Sequence, residues 1–263
     1  MGVPSVGEVT TGELLLGPNA VREALRAGRR KVRRIFLARD VRDTRLGEIV
    51  VQAGRQGIPV RQVTRDRLAS LAGTEQHQGI VALADPFAYA DPEEVAARTA
   101  TRSPLPIILA LDGIEDPQNL GGILRTAEVF GVDAIIIPKH RAAGVTASVL
   151  RASSGAAEHV PVARTTSMAA CLERLKALGY WVCGAAVEGG TPVHQADLIR
   201  PLALIVGGEH RGLRPGVRDR CDMLVTIPMK GRLESLNAGV ATAIILYEAL
   251  RQRLAGTGAK KMK

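Results

Sequence analysis

From residue 104 to 255 the chain alternates short apolar runs with amphipathic stretches in a strict rhythm. The runs PIILALD, DAIIIP, YWVCGAA, LALIVGG and MLVTIP are too short for helices and lack polar alternation. They predict strands buried on both faces, hence a parallel sheet with helices on either side. Helices are predicted around 120–130, 145–154, 167–178 and 236–253. The fold class is α/β. Upstream, PNAVREALRAG predicts a helix with Pro18 at its first position and Gly28 just past its end. RRIFLA, IPVRQV and GIVALA read as strands, LGEIVVQAGRQG as a helix, and another helix opens at Thr64.

Two domains follow from this pattern. Residues 1–84 form a small α/β unit and 105–255 a larger parallel-sheet domain. Between them 85–104 (DPFAYADPEEVAARTATRSP) holds three prolines and little alternation, and reads as a linker with one short helix. Residues 256–263 are a basic tail.

Charge changes the picture next. The 263 residues carry a net charge of +9, which favours anionic partners. Ten Arg/Lys against three acids fall between Arg22 and Arg45. On charge alone that run suits a nucleic acid or a solvated helix face equally well. Cys171, Cys183 and Cys221 are scattered and lack metal-ligand spacing, so they read as buried thiols in a reduced compartment. No apolar run reaches the length of a membrane span, and MGVPSVGEVTTGE lacks the pattern of a signal peptide. A cytoplasmic location is expected.

In an open parallel sheet, ligands bind beyond the carboxyl ends of the strands. Three of those ends carry polar loops: DGIEDPQNLGGILR (Asp112–Arg125), GGEHRGLRP (Gly207–Pro215) and IPMKGRLESLN (Ile227–Asn237). Taken singly, Asn119, Ser235 or Asn237 could be a helix cap, and Glu209 could pair with Arg211 or Arg214. Glu234 and Arg232 could simply balance each other. There is no G-x-G-x-x-G after a strand, and the end of DAIIIP meets PKHR instead of an acid that would hold a ribose. A nicotinamide dinucleotide is therefore disfavoured, and no phosphate loop of the G-x-x-x-x-G-K-[ST] kind is present. The five histidines are dispersed and suggest neither a triad nor a metal cluster. A nucleoside-type ligand gripped by three loops remains.

The loops resemble, in type, order and spacing, the signature motifs of the SpoU/TrmH family of RNA ribose 2′-O-methyltransferases, within the SPOUT superfamily. Asn119-Leu-Gly with Arg125 resembles the first, Gly207-Gly208-Glu209 the second, and Ile227-Pro228-Met229 through Ser235-Leu236-Asn237 the third. The likeness spans 104–255. LLLGPNAVREAL and HQGIVA resemble the ribosomal-protein-like RNA-binding domain of bacterial members that methylate a guanosine ribose of large-subunit rRNA. A departure is Ala238-Gly239, where many members carry a hydroxyl residue.

The resemblance implies a catalytic domain tied in a deep trefoil knot, a homodimer, S-adenosylmethionine as cofactor and no metal. By matched position Gly207, Gly208, Ile227, Leu236 and Asn237 would bind the cofactor. Asn119, Arg125, Glu209, Ser235 and Asn237 would be catalytic. Arg22, Arg29, Arg30, Lys31, Arg33 and Arg34 would grip RNA. Other readings are methylation of tRNA, methylation of an rRNA site that confers antibiotic resistance, and a non-catalytic RNA-binding assembly factor. A nucleotide-cofactor oxidoreductase would need the missing glycine fingerprint.

Overall fold

The computed structural model describes residues 12–40, 43–209 and 211–260. The reading of the chain start, and the last three residues of the basic tail, lie outside the described residues. By contact the chain divides into two compact units, one taking residues up to Ala88 together with Val145–His159, the other Tyr89–Gly144 and Val160–Lys263.

The first unit opens with β1 (Glu13–Leu16), α1 (Pro18–Ala27), β2 (Val32–Ala38) and α2 (Thr44–Arg55). It continues with β3 (Val60–Val63), α3 (Arg65–Ala72) and β4 (Ile80–Ala84). The helix boundaries have local causes. Pro18 sits in the first turn of α1, and Gly28 ends it at φ +61°, a left-handed conformation open to glycine. The Asp43 and Thr64 side chains accept backbone N–H groups at the starts of α2 and α3. The sheet order is β1-β4-β2-β3, antiparallel except for the β2/β3 pair. Leu16, Phe36, Leu68 and Val81 form a core on one face.

The second unit begins with α4 (Pro92–Arg102), β5 (Ile107–Asp112), α5 (Pro117–Val129) and β6 (Ala134–Pro138). The chain then gives α6 (Ala147–Ala152) and a short turn of 3₁₀ helix to the first unit. It resumes with β7 (Val162–Thr165), α7 (Met168–Ala177), β8 (Trp181–Ala185), β9 (Thr191–Pro192) and β10 (Leu202–Gly207). Then follow α8 (Pro215–Arg218), β11 (Met223–Thr226) and α9 (Ala238–Lys260). Seven strands in the order β7-β6-β5-β10-β8-β11-β9 make a wholly parallel sheet. β5, β6 and β10 are buried nearly throughout, as their unbroken apolar runs predict.

Two expectations need correction. Residues 85–104 are not a plain linker: Ala90 bridges Ala163, and α4 places Val95 and Ala96 in the core of the second unit. Pro92 stands in the first turn, where its missing N–H costs nothing, and Asp91 caps that turn. The Thr99 hydroxyl meets the Tyr180 hydroxyl at 2.5 Å, tying the buried face of α4 to the residue just before β8.

The second correction concerns Arg30. Its side chain is buried, not facing solvent. It donates to Glu13 Oε2 at 3.0 Å, to the Asp85 carbonyl at 3.3 Å and to Glu158 Oε1 at 2.5 Å. A buried guanidinium requires such partners, because its desolvation is otherwise unrelieved. Arg30 therefore fastens Val145–His159 onto the first unit.

Candidate active site

The strand order reverses between β5 and β10: the chain runs outward to β6 and β7 on one side and to β8 and β11 on the other. Such a switch point opens a crevice at the carboxyl ends. Asp112 and Gly207 end the two strands directly opposite each other. The Asp112 carboxylate is fully buried and satisfied by one residue, Arg214. Its Oδ2 accepts from the Arg214 backbone N at 2.9 Å; its Oδ1 accepts from Nε at 2.7 Å and also from Nη2. These charge-assisted bonds hold the loop after β10 in place.

That loop folds tightly on itself. Gly208 N donates to the Asp112 carbonyl at 3.1 Å, and Gly212 N donates to the Gly208 carbonyl at 2.8 Å. A Cβ on Gly207 would lie 2.1 Å from the Gly212 carbonyl carbon, and one on Gly208 would lie 2.5 Å from the Gly113 oxygen. The two glycines are thus demanded by backbone meeting backbone, before any ligand is considered.

The third loop closes the arrangement. Asn237 Oδ1 caps α9, accepting from Gly239 N at 2.9 Å and Val240 N at 3.3 Å. With the oxygen so engaged, Nδ2 donates to Asn119 Oδ1 at 2.9 Å and to Glu209 Oε1 at 2.5 Å. One amide joins all three loops. Asn119 is not the cap of α5. Asp116 is, accepting from Gln118 N at 3.1 Å and Asn119 N at 3.3 Å, which leaves the Asn119 side chain for other work. Nor does Glu209 pair with Arg214, whose partner is Asp112.

Two cavities flank this junction. One, of about 490 Å³, is lined by Val187, Val206, Ile227 and Leu236 among others, with Glu188, Glu209, Arg211 and Arg218 as its charged residues. The other, of about 890 Å³, is polar, with Glu115, Asn119, Arg141, Arg211 and Arg214 on its walls. Gly208, Glu209, Arg211 and Gly212 line both. The first suits a flat heteroaromatic group with a short tail. The second, which carries Glu115, Asp116 and Glu209 as well as Arg141, Arg211 and Arg214, suits a hydroxylated, polar one.

Gly207, Gly208, Ile227, Ser235 and Leu236 thus lie on one cavity. Asn119, Glu209 and Asn237 meet beside it, with Glu209 lining both cavities and Asn119 the other one. Arg125 does not join them. It is exposed, about 9 Å further along the axis of α5 and about 120° round from Asn119. Lys230, Arg232 and Glu234 are also exposed. In the first unit, Arg22 pairs with Glu23 at 2.8 Å and Arg33 with Asp85 at 2.5 Å. Arg29 and Lys31 are exposed, and Arg34 is half-buried.

Sequence reasoning missed Asp112, Arg141 and Val187. A lone acid closing an apolar strand was the available signal for Asp112; the other two carried none. The thiols take no part. Burial pushes Cys183 up to about 12 and Cys171 and Cys221 up to about 11, so all three stay protonated at neutral pH.

Residues 106–247 match the SpoU rRNA Methylase family, and residues 14–90 match the RNA 2′-O ribose methyltransferase substrate-binding family. The chain is 39% identical over 240 residues to a Staphylococcus haemolyticus protein named for the TrmH family of tRNA/rRNA methyltransferases. That alignment covers 91% of this chain and 96% of the relative. A similarly named Bacillus subtilis protein is 39% identical over 241 residues, covering 92% and 96%. Among solved structures, the SpoU methyltransferase AviRb from Streptomyces viridochromogenes, in complex with the cofactor AdoMet, superposes with a TM-score of 0.76. It is 27% identical, with 92% of this chain and 90% of that one covered. A crystal structure of an RNA 2′-O ribose methyltransferase gives a TM-score of 0.75 at 28% identity, covering 92% and 88%. The chain belongs to the SpoU family of RNA 2′-O-ribose methyltransferases.

Proposed function

We propose that this SpoU-family enzyme methylates the 2′-oxygen of a guanosine ribose in large-subunit rRNA, with S-adenosylmethionine as donor. The observation that carries the reading is the Asn237 amide, which binds Asn119 and Glu209 where an apolar cavity meets a polar one. The apolar cavity fits the donor. Val187, Ile227 and Leu236 offer surface to an adenine, and Glu188 and Glu209, with Arg211 and Arg218, offer polar partners to the charged tail of the donor. Bound there, S-adenosylmethionine would supply a methyl group already activated by a positively charged sulfur.

The chain's own work is then positioning. Asn119 and Glu209 hold the ribose hydroxyl from the polar side, and Arg141, Arg211 and Arg214 line the ground an RNA backbone would cross. Holding two reactants in near-attack geometry supplies roughly 7–11 kcal/mol. Arg125 carries no acceptor while charged, so it does not take the proton itself. Its place is to pin a phosphate and stabilise charge growing on the 2′-oxygen, while water or phosphate accepts the proton.

A homodimer belongs to this reading. Val240, Ile244, Tyr247 and Leu254 fall on one stripe of α9; Tyr247 is 57% exposed and stands edge-on to Phe130 at the end of α5. Val129 on α5 is 67% exposed, one turn beyond Arg125. A second copy covering that stripe would lie next to the end of α5 that carries Arg125 and Val129. The knotted crossing at the cofactor loops belongs to the same reading, as does the guanosine target, which rests on the likeness of LLLGPNAVREAL and HQGIVA.

The test is methyl transfer from radiolabelled S-adenosylmethionine to unmodified large-subunit rRNA, with tRNA in parallel and the modified ribose mapped. Label at one rRNA guanosine, absent with Asn119→Ala, is expected. Label on tRNA alone overturns the substrate, and absence of donor binding overturns the chemistry. Arg125→Lys should keep partial activity; complete loss with RNA binding intact rejects a purely electrostatic role.

A further inference from the structure

Two basic pockets lie on the first unit, and their surroundings differ. One, of about 540 Å³, is lined by Gly28, Arg29, Lys31, Arg33, Gly57 and Ile58 among others. It sits where α1 and α2 both end, with Gln56 Nε2 donating to the Leu25 carbonyl at 3.1 Å. Helix C-termini present carbonyl oxygens and partial negative charge, so basic side chains there answer the helices first. Arg33 is also ion-paired, and Arg30, on the same wall, is buried. This pocket is a poor place for a phosphate.

The other, of about 290 Å³, is lined by Phe36, Arg39, Arg61, Thr64, Arg67 and Leu71, with neighbours from β3. Arg39 follows β2 and is fixed by its backbone N, which donates to the Val63 carbonyl at 3.1 Å. Arg61 stands opposite Phe36 in the parallel β2/β3 register. Arg67 comes from the first turn of α3, where its backbone N donates to the Thr64 hydroxyl at 3.3 Å. Of the nearby acids, Asp40 is engaged by Arg65 at 2.8 Å, and Asp66 lies in the first turn of α3. Arg39, Arg61 and Arg67 line one cavity beside the outer strand of the sheet.

We infer that this second pocket, and not the Arg22–Arg34 surface, holds a backbone phosphate of the substrate RNA. The inference rests on the RNA-methylating reading above and names where the first unit grips that RNA. Guanidinium matches phosphate in a two-pronged geometry, and each phosphate contact releases counterions. Leu71, half-buried, adds a little apolar surface against a neighbouring sugar.

The test measures affinity for in-vitro transcribed large-subunit rRNA between about 50 and 200 mM salt. Arg39→Gln, Arg61→Gln and Arg67→Gln are compared with Arg29→Gln and Lys31→Gln, each with its melting temperature. Each of the first three should weaken binding roughly twofold to fivefold and flatten the log–log salt slope by about 0.7–0.9. The methyl-transfer rate at saturating RNA should hold while KM rises, and Arg39→Lys should recover the slope. Arg29→Gln and Lys31→Gln should leave the slope unchanged. The inference is overturned if that pair carries the slope instead. It is also overturned if adenosine 5′-monophosphate binds through these arginines while RNA affinity is untouched. Methyl transfer with no slope change in the three variants rejects the pocket and keeps the function. The expected slopes without any methyl transfer reject the function and keep the pocket.

Discussion

The two units use polar side chains in opposite ways. In the second, Asn119, Glu209 and Asn237 lie far apart in sequence yet meet at strand ends that the sheet order brings together. In the first, part of the dense basic run is absorbed by architecture: Arg30 by Glu13 and Glu158, Arg33 by Asp85, Arg22 by Glu23. A few polar residues repeated at successive strand ends point to chemistry. A crowd of like charges on consecutive residues points first to the partners that neutralise it.

The sharpest way to break this contrast is at Arg30. Arg30→Met should destabilise the protein by about 3–5 kcal/mol, because Glu158 is left buried and unpaired. Pairing it with Glu158→Leu should recover part of the loss; equal melting of the single and double variants would show that the ion pair has no structural role. Next comes Asn237→Asp. The carboxylate keeps the α9 cap but faces Glu209, so methyl transfer should fall by roughly 10²-fold. Thermal stability should change little, as a melting curve beside single-turnover rates would show.

A smaller effect is expected at low pH. Hydrogen bonds from Arg251 and Gln252 lower Glu248 to about 2, against an ordinary value of 4.5. The folded state is favoured above the ordinary value, and that contribution disappears as pH falls from about 4.5 toward 2. Glu248→Gln should flatten this part of the stability–pH curve, followed by urea melts at each pH. The smallest change is Gly54→Ala in α2. A Cβ there meets nothing within 4 Å, so a gain of about 0.5–1 kcal/mol is expected.

The same contrast explains what the sequence reveals. The five apolar runs that predict strands each become one, since a continuous buried run needs no distant information. β7 escapes notice because its short VART segment is buried only in its first half. α4 is legible only as one short helix in a proline-rich linker, and its packing into the second unit's core is not. The loops are legible as a site because three polar glycine-rich segments follow three strands. The Asp112–Arg214 brace is not, because a strand-ending acid looks ordinary until its partner 102 residues later is seen. Nothing local in ASVLRA assigns α6 to the first unit. That allegiance depends on Arg30 and Glu158, 128 residues apart.

That separation also sets an order of events during synthesis. A ribosome delivers residues at roughly 5–20 per second, so the segment up to Ala88 emerges several seconds before Glu158 does. Until then Arg30 has only part of its ion-pair partnership, and the nascent first unit must wait for a stretch that is translated in the middle of the second. Excising residues 12–88 as an independent domain would make that wait permanent; a fragment designed to fold alone should carry Val145–His159 as well.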